Sequence, residues 1–237
     1  MPSEKPLENL RGPFGAILID PPWRFMNRTG KVAPEHKRLR RYETMSFEEI
    51  AALPVGEIAA EKSHLYLWCP NALLAEGLGV MKAWGFKYKT NLVWYKVRKD
   101  GGPDGRGVGF YFRNVTELLL FGVKGSFRTL APGRRQVNIM ISRKEEHSRK
   151  PDDVYQLIER CSRGPFVELF ARQRLPGWVQ WGDQVDSYEK DRPNHKGYTR
   201  NGNRHAATTK EKRGPVENPE LWQPSQTGHL LVPSRSV

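Results

Sequence analysis

The chain has 237 residues, 38% of them hydrophobic, which is enough for one domain with a real core and too few for two generous ones. Lys and Arg number 39 against 26 acidic residues, and the resulting formal charge of +13 favours a polyanionic partner such as DNA or RNA over an acidic protein. Two isolated cysteines, Cys69 and Cys161, exclude a disulfide framework and a cysteine-built zinc site; with no leader-like start and no long apolar run, the expectation is a soluble, cytoplasmic protein without membrane association.

The short apolar run Ala16–Ile19 follows a Gly-Pro-Phe-Gly turn and reads as a buried strand of a parallel sheet, ending at Asp20-Pro21-Pro22-Trp23. Residues 24–45 are basic and aperiodic, the pattern of a long loop. Ser46 with Glu49 has the form of a capping box and should open a short helix through Ala52. A second strand is expected over His64–Cys69. Asn71 is expected to cap a helix reaching about Trp84, with Leu73, Leu74, Leu78 and Met81 on one face, and a third strand follows over Tyr88–Tyr95.

The glycine-rich stretch 96–109 predicts a second basic loop without regular structure. Strands are expected at Thr116–Gly122 and Val137–Ile141. Pro151, at a first helical position ahead of Asp152 and Asp153, should start a helix through Cys161, and strands at Phe166–Ala171 and Trp178–Trp181 complete the sheet. This strand and helix alternation divides the chain into a domain at 1–187 and a polar, basic tail at 188–237 that is expected to be largely disordered.

The chemistry is concentrated at the first strand end. Open α/β sheets place ligands at the carboxyl ends of their strands. There the Asp20 carboxylate accepts hydrogen bonds only, Pro21 keeps its carbonyl but lacks an N–H, and the two proline rings stiffen the backbone. Two acceptors held side by side suit an amino group, which donates both hydrogens and turns its lone pair outward. The indole of Trp23 offers a face for a base to stack on, a contact worth roughly 1–3 kcal/mol.

Asp20-Pro21-Pro22-Trp23 resembles the catalytic motif of the DPPW adenine methyltransferases, relatives of the catalytic subunit of the eukaryotic messenger-RNA adenine methyltransferase. The similarity continues in order along the chain. Tyr42-Glu43-Thr44-Met45-Ser46, Leu65-Tyr66-Leu67-Trp68 and Leu92-Val93-Trp94-Tyr95-Lys96 match family segments. So do Gly122-Val123-Lys124-Gly125 after Glu117, the run His147–Asp152, Glu168-Leu169-Phe170-Ala171-Arg172 and Gly182-Asp183-Gln184, and together they span about residues 14 to 186. The resemblance implies an α/β fold, a Rossmann-like S-adenosylmethionine-dependent methyltransferase sheet with permuted motif order, the catalytic motif preceding the cofactor-binding strand. It implies that Lys150 binds the methionine carboxylate of S-adenosylmethionine, that Arg172 lines the ribose region, that Asp183 and Gln184 contact ribose hydroxyls, and that Asp20 and Phe170 border the same pocket. Tyr42 would lie in the substrate-adenine loop. Asp183 stands where the family usually has asparagine, and Gln173-Arg174-Leu175 departs from the eukaryotic His and Asn.

Basic residues Arg28, Lys31, Lys37, Arg38, Arg40 and Arg41 in one loop, and Lys96, Arg98, Lys99 and Arg106 in the other, are expected to hold substrate phosphates, with Arg40, Arg41 and Lys96 nearest the site. Trp68 and Trp94 read as core, Glu117 as a buried carboxylate or a strand-edge charge, and His64 and His147 as non-ligands, so no metal is expected. The reading is methyl transfer to the 6-amino group of adenine, with DNA preferred over RNA. A non-catalytic nucleic-acid-binding subunit and a methyltransferase acting on a small molecule or protein are the alternatives, and a homodimer or a partner subunit is open.

Overall fold

The computed structural model describes residues 7, 10–24, 44–105, 111–143, 149–182 and 185, which all fall in one compact unit, residues 1–192. The tail expected at 188–237 lies outside the described residues. Among the described residues seven strands make one sheet: β1 (Phe14–Ile19), β2 (Ala59–Cys69), β3 (Lys87–Val97), β4 (Thr116–Lys124), β5 (Ile139–Arg143), β6 (Phe166–Leu169) and β7 (Trp178–Trp181), in the order β5-β3-β4-β2-β1-β6-β7. β1 pairs in parallel with both β2 and β6, as its continuous apolar run requires, and every one of its residues is buried. Only β4 runs against its neighbours β2 and β3. That reversal brings its first residues, Thr116 and Glu117, to the edge where β1, β2 and β3 end.

Side chains alternate across the two faces. Ile17 and Ile19 enter one apolar cluster with Leu65, Leu67, Val80, Met81 and Trp84, beneath α1 (Phe47–Ala51), α2 (Val55–Ile58) and α3 (Leu74–Ala83). Ala16 and Leu18 enter the other with Trp68, Trp94, Leu119 and the buried face of α4 (Asp153–Cys161), namely Val154, Leu157, Ile158 and Cys161. Within the second cluster Ser162 Oγ lies 2.8 Å from His64 Nδ1 and 2.7 Å from the Tyr66 hydroxyl, tying β2 to the end of α4.

The capping box at Ser46 forms as expected: Glu49 N–H donates to Ser46 Oγ at 3.2 Å and Ser46 N–H to Glu49 Oε2 at 2.6 Å. Four expectations are corrected. Asn71 caps no helix; a single 3-10 turn spans Asn71–Leu73, and the Asn71 amide donates instead to the Thr116 carbonyl and hydroxyl at 3.2 and 3.0 Å. Of the apolar face expected for α3, Met81 is buried beside Gly77 and Val80, and Leu73 and Leu78 pack against the same core, but Leu74 is exposed. The expected 96–109 loop is ordered at its start: β3 reaches Val97, and a turn folds back so that Val97 bridges Pro103. Pro151 precedes the N-cap Asp152 rather than occupying the first turn of α4.

Gly15 marks an irregularity in the β1–β2 register, where β1 crosses the Arg163–Pro165 turn and Gly15 N–H donates to the Pro165 carbonyl at 2.9 Å. A Cβ there would collide with the Arg163 and Gly164 carbonyl oxygens, both backbone and unable to yield cheaply. Gly15→Ala is expected to cost about 1–3 kcal/mol, whereas Gly105→Ala, with nothing within 4 Å of the new methyl, should be close to neutral. Denaturant melts of the two variants check this.

Candidate active site

Asp20 follows the last residue of β1 and heads a row of four charges of alternating sign. Lys150 Nζ donates to both Asp20 oxygens, at 3.0 and 2.8 Å, and lies 3.1 Å from Glu117 Oε1. Glu117 Oε2 accepts from Lys96 Nζ at 2.7 Å. The four side chains keep only 16–21% of their surface in solvent. Burial alone would push the Glu117 carboxyl up, but the Lys150 and Lys96 ammoniums outweigh it and hold the group at about 2. Burial likewise works against a charged Lys150, and Asp20 with Glu117 reverses that, raising its pKa above the ordinary ammonium value. The two ammoniums lie over indoles, Lys150 at 5.3 Å from the Trp68 ring and Lys96 at 4.5 Å from that of Trp94. Both indoles are buried, as expected of core residues.

The backbone after Asp20 is pinned. Pro21 carbonyl accepts the Trp23 N–H at 2.8 Å, using one of its two lone pairs; Pro22 carbonyl accepts from Met45 N–H at 2.8 Å, and Arg24 N–H donates to the Met45 carbonyl at 3.0 Å. Trp23 itself corrects an expectation. It is buried, 7% exposed, and its indole N–H donates to the Trp68 carbonyl at 2.9 Å, so it anchors the motif to β2 instead of presenting a face to a base. Lys96, expected near the substrate phosphates, pairs its ammonium with Glu117 and keeps 17% of its side chain in solvent.

Beyond β6 the chain turns through Phe170 at φ 61, a left-handed conformation costly for a residue with a side chain and found where a site constrains the backbone. Phe170 packs edge-on against Trp181, and Ala171 N–H donates to the Trp181 carbonyl at 3.0 Å. Gly182, at φ 152, passes so close that a Cβ would sit 3.0 Å from Ala171 N. Sequence reasoning passed over Glu168 as a site residue and missed Tyr155 altogether. Tyr155 hydroxyl donates to both Glu168 oxygens at 3.1 and 3.2 Å, and Gln173 Nε2 donates to the Tyr155 oxygen at 3.3 Å. Burial raises the Glu168 carboxyl to about 7; Tyr155 pulls it down, Asp20 pushes it up, and Arg172 and Lys150 draw it back. A carboxyl in an otherwise apolar strand was the available signal, but its coupling to Asp20 depends on strand pairing. Tyr42, Arg40, Arg41, Arg28, Lys31, Lys37, Arg38, Arg106, His147, Asp183 and Gln184 lie outside the described residues.

An open, mostly parallel sheet carrying this acidic and basic set at its carboxyl edge defines a Rossmann-like α/β methyltransferase fold. The MT-A70 family profile matches residues 14–184, and the chain belongs to that family. MT-A70 methyltransferases use S-adenosylmethionine. The chain is similar to a putative N(6)-adenosine-methyltransferase MT-A70-like protein of Medicago truncatula, 31% identical over 75% of this chain and 27% of that protein. It is also similar to the type II methyltransferase M.MunI of a Mycoplasma species, 26% identical over 74% of this chain and 79% of that enzyme. A third relative is the N(6)-adenosine-methyltransferase non-catalytic subunit METTL14 of Drosophila melanogaster, at 28% over 76% and 48%. The match spans about a quarter of the length of the Medicago relative.

The site fits the cofactor on its own chemistry. Lys150 suits a carboxylate, Asp20 and Glu168 suit a cationic group, and the Gly182 approach leaves the turn at Phe170 and Ala171 uncrowded by a side chain.

Between pH 4.5 and about 7 the Glu168 carboxyl, raised from its ordinary 4.5 to about 7, keeps a proton in the folded protein that the unfolded chain has lost. Its contribution is therefore favourable below pH 4.5 and is lost as pH rises through 7. Glu168→Gln should remove that decline, by on the order of 3 kcal/mol, and the difference between urea midpoints at pH 5 and pH 8 in the two proteins measures it.

Proposed function

We propose that this chain transfers a methyl group from S-adenosylmethionine to the exocyclic 6-amino group of adenine in nucleic acid, with DNA as its preferred substrate. The observation that carries the reading is the Asp20 carboxylate at the end of a central parallel strand, beside a carbonyl whose backbone is locked by the Trp23 anchor. Asp20 and the Pro21 carbonyl accept the two amino hydrogens. With both hydrogens so held, the nitrogen lone pair is drawn out of conjugation with the ring and points away from the acceptors. When bound, the cofactor would supply an electrophilic methyl group from its sulfonium, whose methyl–sulfur bond breaks so that the sulfur departs as a neutral thioether. As the nitrogen–carbon bond forms, the nitrogen must shed one proton, and the Asp20 carboxylate is the acceptor next to it.

Lys150 holds the cofactor carboxylate in this reading, and its three N–H donors are already shared between the two Asp20 oxygens and Glu117. A cofactor carboxylate therefore replaces one of those contacts. Glu117 and Lys96 keep the ammonium in place through the exchange. Phe170 and Arg172 border the cofactor, with Asp183 and Gln184 at its ribose; Tyr42, Arg40 and Arg41 serve the adenine and its phosphates. Pro22 contributes rigidity, through its ring and its bond to Met45. The DNA preference is supported by coverage, since the match takes in 79% of the Mycoplasma type II methyltransferase but 27% of the Medicago N(6)-adenosine-methyltransferase-like protein.

Similarity to a non-catalytic subunit favours a second reading, in which the chain binds nucleic acid without turnover. Labelled methyl transfer to matched single-stranded DNA, duplex DNA and RNA separates the two. Asp20→Asn, which keeps shape and one acceptor oxygen, should lower kcat by roughly 10²–10³ with cofactor affinity changed less than about tenfold. RNA labelling alone would overturn the substrate preference, and no transfer to any substrate would favour the second reading.

A further inference from the structure

Tyr111 and Phe112 are the most exposed large apolar side chains among the described residues, 94% and 84% in solvent. Core formation gives no reason for two adjacent aromatic rings to stand in water. The chain after them is fastened to the active edge: Val115 carbonyl accepts Lys96 N–H at 2.8 Å, Thr116 is held by the Asn71 amide, and Glu117 belongs to the charge cluster around Asp20. Phe112 is five residues from Glu117, so the two Cα atoms are no more than about 18 Å apart. Exposed cations share this edge. Lys99 and Arg143 lie at and just beyond the ends of β3 and β5, and Arg143 Nη2 donates to the Lys99 carbonyl at 3.2 Å.

We infer that Tyr111 and Phe112 form a stacking platform for unpaired bases flanking the target adenine, a subsite for single-stranded nucleic acid. The inference rests on the nucleic-acid reading above and goes past it to a strand state and a second contact. Charge favours this occupant over another copy of the chain: a formal +13 repels itself and attracts a polyanion. Aromatic faces give sequence-tolerant affinity, and neighbouring cations track the backbone.

The test uses the full chain and fluorescence anisotropy with a labelled single-stranded, adenine-containing oligonucleotide over a range of salt. Tyr111→Ala with Phe112→Ala should weaken binding roughly five- to a hundredfold and leave the salt slope unchanged, since no phosphate contact is lost. Tyr111→Phe with Phe112→Tyr should bind like the parent, and Lys99→Ala with Arg143→Ala should flatten the slope. Methyl transfer by the alanine pair should show a raised KM at unchanged kcat. Parent-like affinity in the alanine pair would overturn the platform alone. So would a change of oligomeric state in sedimentation with oligonucleotide binding intact, which would assign the rings to a protein interface. A parent chain that binds no oligonucleotide would sink the nucleic-acid reading together with the platform.

Discussion

The alternating row Asp20, Lys150, Glu117, Lys96 is the constraint around which the rest of this molecule is arranged. Taking an ion out of water costs several kcal/mol even after relaxation, and only good geometry with every donor and acceptor occupied offsets it. Each of the four comes from a different part of the chain: the end of β1, the segment before α4, the start of β4 and the end of β3. They meet only if all of those elements deliver their ends to one edge. The reversed strand β4 satisfies this for Glu117, which would sit at the opposite edge if β4 ran with its neighbours.

Around that row the backbone is held stiff where chemistry needs two acceptors at fixed positions. Trp23 is buried and bonded to Trp68, so the Asp-Pro-Pro turn is clamped to the same strand whose indole lies beneath the Lys150 ammonium. On the other side, Phe170 adopts a conformation that its side chain disfavours, and Gly182 passes close enough to support it. Strain of order 1–3 kcal/mol at one residue persists when surrounding packing over-determines it, and here the Trp181 ring and the Ala171–Trp181 hydrogen bond do so.

The electrostatics divide the acidic groups by task. Glu117 is held charged by two ammoniums and stabilises a cation; Glu168 titrates near neutrality because it is buried on a strand, with the Asp20 charge raising it further. Asp20 stands between these two environments, in contact with Lys150. One lysine therefore links the acceptor proposed for adenine with the carboxylates that surround the proposed cofactor position.

Local chemistry wrote the strands, the capping box at Ser46 and the rigidity of Asp20-Pro21-Pro22 into the sequence, because each depends on neighbours a few residues away. Tertiary structure alone decided that Trp23 is an anchor, that Asn71 bonds Thr116 instead of capping a helix, that Lys96 serves Glu117, and that Tyr155 belongs to the site. Each of those assignments depends on which strands pair and in which direction. The bond that completes the site joins residues 130 positions apart, and no local pattern specifies a contact at that separation.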